Sequence, residues 1–267
     1  MQKREKFDNI VIETTGLANP GPVATALWTD EELEAGVCLD AIVTVVDAKH
    51  IRRQLQARPE SGTVNEAQQQ IAYADVVILN KVDLVTQEEA DEIEEEVKAI
   101  NSTVSITRTI RSRVDINAVL NRGTYRGGRA RGGARQWADG LTRNCSGDGG
   151  QQMPCEGHAD CGDVHSQQVT TVSVTASQAV DKEKVKTWLD TLLWENDNLW
   201  DIFRMKGILN VQGSDRQHFM QAVHEMYELT EGDEWRSSDT RISKVVIIGL
   251  QLSHSQLQAS FADCVAT

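Results

Sequence analysis

No apolar run in the 267-residue sequence reaches the roughly 18–20 residues that a membrane-crossing helix needs. The opening "MQKREKFDN" is charged and lacks the apolar stretch, about 7–15 residues long, of a secretory signal. Basic residues are outnumbered, 27 Lys and Arg against 40 Asp and Glu, for a formal net charge of −13. That balance argues against general affinity for nucleic acid or an anionic membrane. The five cysteines, Cys38, Cys145, Cys155, Cys161 and Cys264, are odd in number and unevenly scattered, so no disulfide framework is expected. What remains is ordinary for a globular chain, 40% hydrophobic and 25% charged, and long enough for one large domain or a medium and a small one. A cytoplasmic protein with no membrane partner is the expectation.

Residues 7–120 alternate strand-like and helix-like segments. "NIVIE" reads as a buried strand and "PVATALWTDEELEAG" as a helix with proline near its start and glycine near its end. "LDAIVTVVDAKH", "DVVILNK" and "VSITRT" read as further strands. "VNEAQQQIAYA", "TQEEADEIEEEVKAI" and the short "DINAVLN" read as helices, the second capped by Thr86 with acidic residues in its first turns. The expected fold class is α/β: a parallel sheet covered by helices, in residues 1–120. Residues 121–167, rich in Gly, Arg and small polar side chains, read as a mobile linker. Residues 168–267 read as a small α+β domain in the order β-α-β-β-β-α. Here "DKEKVKTWLDTLLWE" is an Asp-capped helix, "FRMKGILNVQG", "RQHFMQAVHEMYELT" and "RISKVVIIGLQ" are strands, and "SHSQLQASFADCV" closes as a helix.

Two motifs carry chemistry. "VVILNKVDLV" delivers Asn80, Lys81 and Asp83 to the carboxyl end of a buried strand, where open α/β sheets bind ligands. An ionised Asp83 can accept from both the ring N1–H and the exocyclic amine of guanine, a donor pair that adenine lacks. Lys81 can lay its aliphatic stem along the base and Asn80 can brace the loop; a capped turn needs the same residue types. In "IVIETTG", Glu13 and Gly16 form an E-x-x-G arrangement. The carboxylate suits Mg²⁺ through a water, and the glycine N–H suits a γ-phosphate. A strand end followed by a turn is the plainer reading.

The segments "IVIETTGLANPGPV", "DAIVTVVDAKH", "QIAYADVVILNKVDLV" and the late "RMKGILNV" through "KVVIIG" resemble the CobW-like metallochaperone GTPases. The eukaryotic branch of that family is the zinc-regulated GTPase metalloprotein activator. The resemblance implies a P-loop GTPase domain followed by a CobW carboxyl-terminal domain, with GTP, Mg²⁺ and Zn²⁺ as cofactors and cargo. It implies a client metalloprotein as partner, GTP binding and hydrolysis being coupled to metal delivery. It assigns Glu13 and Gly16 to the catalytic end and Asn80, Lys81 and Asp83 to nucleotide binding. Family members begin with a G-x-x-G-x-G-K-[ST] loop and a Cys-x-Cys-Cys motif, and neither occurs in these 267 residues. The expectation is an amino-terminally incomplete domain impaired in hydrolysis, with organelle targeting left open on the same ground. Whether this chain is itself an enzyme, and whether it forms an oligomer, stays open.

"CEGHADCGDVH" spaces Cys155, His158, Cys161 and His165 as a candidate tetrahedral Zn²⁺ set, although the spacing is not a familiar zinc pattern and a solvated loop is the alternative. The upstream Arg-Gly segment reads as an RNA-contacting stretch, as a spacer, or as a basic strap for the acidic helix around Glu94, Glu95 and Glu96. Asp47 shapes the nucleotide rim or caps its strand. Trp188, Trp194, Cys38 and Cys264 are expected in the core, and His218 and His224 on one alternating strand. The rival to a GTP-driven chaperone is a non-enzymatic adaptor or metal buffer built on the carboxyl-terminal domain and the Cys/His loop.

Overall fold

The computed structural model describes residues 7–16, 18–27, 38–57, 64–125, 169–195, 200–237 and 239–266. Helix α1 spans Gly21–Leu27, followed by β1 (Val43–Asp47), α2 (Ile51–Leu55), α3 (Glu66–Tyr73), β2 (Val76–Asn80), α4 (Gln87–Ile100) and β3 (Ser105–Thr109). The three strands pair in parallel in the order β1-β2-β3. Central β2 reads Val-Val-Ile-Leu because both of its faces are covered. Val77 and Leu79 join Ile71 and Tyr73 of α3 and Ile93 and Val97 of α4 in one core.

Helix α4 shows how sequence sets its ends and its buried stripe. Thr86 Oγ1 accepts the Glu89 N–H at 3.2 Å while the Glu89 carboxylate accepts the Thr86 N–H at 2.8 Å, a reciprocal cap. Ala90, Ile93, Val97 and Ile100 then fall on the core side at spacings of three and four. Each buried aliphatic side chain contributes on the order of 1.5–3 kcal/mol. The acidic outer face pairs with neighbouring arginines: Arg108 with Asp91 and Glu94, and Arg52 with Glu92 and Glu96. Of the arginines expected to strap this helix, Arg122 is described, and its N–H donates to Asp40; the segment beyond Tyr125 lies outside the described residues.

The later part contains β4 (Val169–Ala176), α5 (Lys182–Trp194), β5 (Asp201–Asn210), β6 (Arg216–Val223), β7 (Met226–Glu234), β8 (Ser243–Leu250) and α6 (His254–Ala262). Its five strands pair antiparallel in the order β4-β8-β5-β6-β7. One face carries Val174, Met205, Leu209, Met220 and Ile247 against Val185, Leu189 and Phe261 of the two helices. The opposite face packs on the first part, where Phe203, Val223, Val246 and Ile248 enter the core built around Tyr73 and Val77.

Several expectations are corrected. Residues 10–13 form no strand: Ile10, Val11 and Ile12 are 65%, 76% and 54% exposed, and β1 pairs only with β2 among the described residues. Among the described residues no ladder pairs with this run, so its apolar side chains lack the neighbour that would bury them. The first helix is observed over Gly21–Leu27, and 28–37 lie outside the described residues. "RQHFMQAVHEMYELT" is two strands, because Val223 faces Met226 across a turn entered by His224 at φ 54°. The order after β4 is therefore α-β-β-β-β-α. Cys38 is exposed, whereas Cys264 is buried. Trp188 is buried but Trp194 is 59% exposed, with its indole N–H on the Glu225 carbonyl at 2.9 Å and its ring 5.8 Å from that of Tyr227.

Candidate functional site

Parallel pairing brings the carboxyl ends of β1, β2 and β3 to one rim. Asp47 and Asn80 are register partners, and the Ala48 N–H donates to the Asn80 carbonyl at 2.9 Å, so the loops after β1 and β2 leave side by side. The Asn80 side chain faces the third loop. Its Oδ1 accepts the Ser112 N–H at 2.8 Å and the Thr109 hydroxyl at 3.2 Å, and its Nδ2 donates to Ser112 Oγ at 2.9 Å. Asn80 is thus a brace between loops and has little capacity left for a ligand.

Lys81 takes the left-handed conformation at φ 63°, and its ammonium reaches Asp47 Oδ2 at 2.6 Å. Asp83 follows in a short 3₁₀ turn, Val82–Leu84, closed by the Leu84 N–H on the Lys81 carbonyl at 3.0 Å. Its carboxylate is exposed and accepts no hydrogen bond from any described residue. Asp47 accepts Lys81 Nζ, His50 Nδ1 at 3.0 Å and the Lys49 N–H at 2.9 Å. Burial works to raise its pKa, but those hydrogen bonds outweigh burial and lower it to about 2. The rim therefore carries one carboxylate that is fully engaged and one that is free.

Glu13 and Gly16 are not bonded into this rim cluster. Both are exposed, and no hydrogen bond or ion pair among the described residues joins them to residues 80–83. The Gly16 and Ala18 carbonyls each accept from Gln70 Nε2 of α3 at 3.0 Å, which fixes the turn after the Glu13 segment. The Glu13 carboxylate is a hard oxygen donor with no partner among the described residues, chemistry that suits Mg²⁺. Cys155, His158, Cys161 and His165 lie outside the described residues. Among the described residues no group of three or more His, Cys, Asp or Glu is placed to hold a metal.

Sequence reasoning missed two features. The first is the loop after β3, where Arg111 and Ser112 have φ 55° and 51°; "TIRSRVD" contains no glycine or asparagine to mark a left-handed turn. The second is a buried charge cluster at the far end of the sheet. Asp75 precedes β2, with one carboxylate oxygen on the Ile42 N–H at 3.0 Å and the other on the Arg204 guanidinium and, at 3.2 Å, on Lys206 Nζ. Arg204 also donates to the Tyr73 carbonyl and lies 5.7 Å from the Tyr125 ring centroid. Asp75, Arg204 and Lys206 are 5%, 1% and 4% exposed. Burial would raise the Asp75 pKa, but the two cations hold it below the ordinary value. Burial, followed by the adjacent Arg204, pushes Lys206 down to about 8. Charged residues at alternate positions of "FRMKG", an otherwise apolar strand, were the signal available.

The family "CobW/HypB/UreG, nucleotide-binding domain" matches residues 1–108, and "Cobalamin synthesis protein cobW C-terminal domain" matches residues 169–265. Zinc-regulated GTPase metalloprotein activator 1 of Schizosaccharomyces pombe is 33% identical over 242 residues, 86% of this chain and 56% of that protein. Its namesake in Saccharomyces cerevisiae is 26% identical, across 95% of this chain and 61% of that protein. The chain thus spans little more than half the length of these two relatives. The zinc chaperone YjiA of Escherichia coli is 25% identical over 96% of this chain and 71% of that protein. The crystal structure of Zn(II)-bound YjiA GTPase superposes with a TM-score of 0.66 at 22% identity, covering 94% of this chain and 69% of that one, which establishes a shared fold.

Proposed function

The chain belongs to the CobW-like family of metallochaperone GTPases, and from that premise we propose that it reads a guanine nucleotide and couples that binding to delivery of Zn²⁺ to a client metalloprotein. The observation that carries the reading is the Asp83 carboxylate at the rim, without a partner among the described residues, in a loop braced by Asn80 and entered by a restrained Lys81. A free carboxylate fits the two donors on the guanine edge and rejects adenine, which would leave it unpaired. GTP, when bound, would supply a γ-phosphoryl group whose transfer to water, leaving GDP and phosphate, would time metal release. For this chemistry the protein contributes position and charge. Glu13 would hold Mg²⁺ through a water, and Gly16 would present its N–H to the terminal phosphate. The Zn²⁺ cargo would be captured by Cys155, His158, Cys161 and His165, thiolate and imidazole donors suited to that ion. The later sheet and its helices would contribute client recognition.

Phosphoryl transfer depends on a phosphate cradle, and no G-x-x-G-x-G-K-[ST] loop occurs in these 267 residues. A polypeptide of this sequence alone is therefore expected to hydrolyse GTP slowly. The test is calorimetric titration of the purified chain with GDP and with ADP, repeated on Asp83→Ala. The reading expects GDP to bind at least about tenfold more tightly than ADP, the difference vanishing in the variant. Equal affinities in the parent, or a preference that survives the substitution, would refute it. Zn²⁺ binding lost in a Cys155→Ser, Cys161→Ser variant with no guanine preference anywhere would favour the metal-buffering adaptor.

A further inference from the structure

Lys81 lies two residues from Asp83 in a short turn, yet the two do not pair. The Lys81 ammonium is instead held by Asp47 at the end of the neighbouring strand, at 2.6 Å. Several features make that capture firm. Strand register sets Asp47 opposite Asn80, and the Ala48 N–H locks the two loops together. The Lys49 N–H fixes one Asp47 oxygen at 2.9 Å, leaving the other to Lys81 and His50. The left-handed backbone at Lys81 starts its side chain from a conformation that residues with a β-carbon seldom adopt.

We propose that Asp47 is a positioning residue for base selection: by sequestering the Lys81 ammonium it keeps the Asp83 carboxylate unpaired and ready to accept the donor edge of a guanine. The inference rests on the base-reading role assigned above to Asp83. Released from Asp47, the Lys81 ammonium would be a free cation two residues from Asp83, at the start of the same short turn. An ammonium on that carboxylate occupies the lone pairs a guanine needs, so the base must displace it before binding. Restraining Lys81 also orders its stem before the ligand arrives, which removes part of the ordering cost of the complex.

The experiment measures the ratio of GDP to ADP affinity by calorimetry at low salt in four proteins: the parent chain, Asp47→Asn, Asp47→Asn with Lys81→Met, and Asp83→Ala. Asparagine keeps an acceptor for the Lys49 N–H while losing the charge that holds Lys81. Methionine keeps an apolar stem without the ammonium. The ratio is expected to fall about twofold to fivefold in Asp47→Asn, the range of a partly exposed ion pair, and to recover most of that loss when Lys81→Met is added. That recovery separates sequestration from a structural role, in which a second substitution restores nothing. An unchanged ratio in Asp47→Asn, or a double variant no better than the single one, overturns the proposal. Where Asp47→Asn fails to fold, Asp47→Ser, whose hydroxyl also accepts the Lys49 N–H, takes its place in both arms. Asp83→Ala distinguishes the two failures. A ratio that survives it, or a parent that prefers neither nucleotide, removes the base reading itself; a ratio that vanishes there while Asp47→Asn is silent removes only the role given to Asp47.

Discussion

Replacing Asp75 with asparagine tests whether the buried cluster works as three coupled charges. The substitution preserves shape but takes the Asp75 negative charge away from Arg204 and Lys206, 1% and 4% exposed. Removing one partner of a buried pair costs roughly 3–5 kcal/mol, mostly as the penalty of the stranded charge. Arg204 cannot shed its proton, whereas Lys206, already lowered to about 8, can. Relief through Lys206 puts the expected loss near the lower end, about 3 kcal/mol at pH 7, or a Tm roughly 6 °C lower for a chain of this length. Urea and thermal unfolding followed by circular dichroism would measure it. The pH dependence has a defined sign. Lys206 titrates lower folded than unfolded, so its stability term is fully present above about 10.5 and is lost as pH falls to about 8. The Asp75–Lys206 attraction matters only while Lys206 is charged. The penalty of Asp75→Asn should therefore shrink between pH 7 and pH 9. A loss below about 1 kcal/mol, or one that grows with pH over that range, would refute this account.

Two further substitutions probe the packing that positions the rim. The Tyr73 hydroxyl is buried with no hydrogen-bond partner among the described residues, while its ring packs 5.4 Å from that of Phe203. Tyr73→Phe should accordingly leave urea stability unchanged or raise it by up to about 1 kcal/mol, and a loss above that amount would show the hydroxyl to be satisfied. Gly249 lies where a β-carbon would come within 2.3 Å of the Asp201 carbonyl oxygen on the neighbouring strand. Gly249→Ala should cost about 1–3 kcal/mol in the same assay, because backbone on both sides must move.

How far the sequence could be read depended on where each signal lay. Thr86, followed by acidic residues, marked the start of α4, and Asp181 marked that of α5, because capping is local chemistry. The buried run of β2 announced a two-sided parallel strand. "NIVIE" carried the same composition yet forms no strand here, since a strand also needs a neighbour, and neighbours are not written in five residues. The β6–β7 turn was hidden because His224 takes the left-handed conformation usually flagged by glycine or asparagine. At the rim, Asn80, Lys81 and Asp83 were legible as a spacing, but the capture of Lys81 by Asp47 depends on a register across 34 residues of chain. The Asp75 cluster spans still more, and only the odd charges in "FRMKG" hinted at it.

That cluster has a consequence for the integrity of the molecule. Tyr73 and Val77 share one core with Phe203, Val246 and Ile248, and the Arg204 guanidinium grips Tyr73 and Asp75, just before the strand that leads to the Asn80–Asp83 loop. The halves before Tyr125 and after Val169 therefore do not behave as beads on a string. Severing the backbone between them should yield two fragments that co-elute and melt in a single transition, each serving as the other's missing interior.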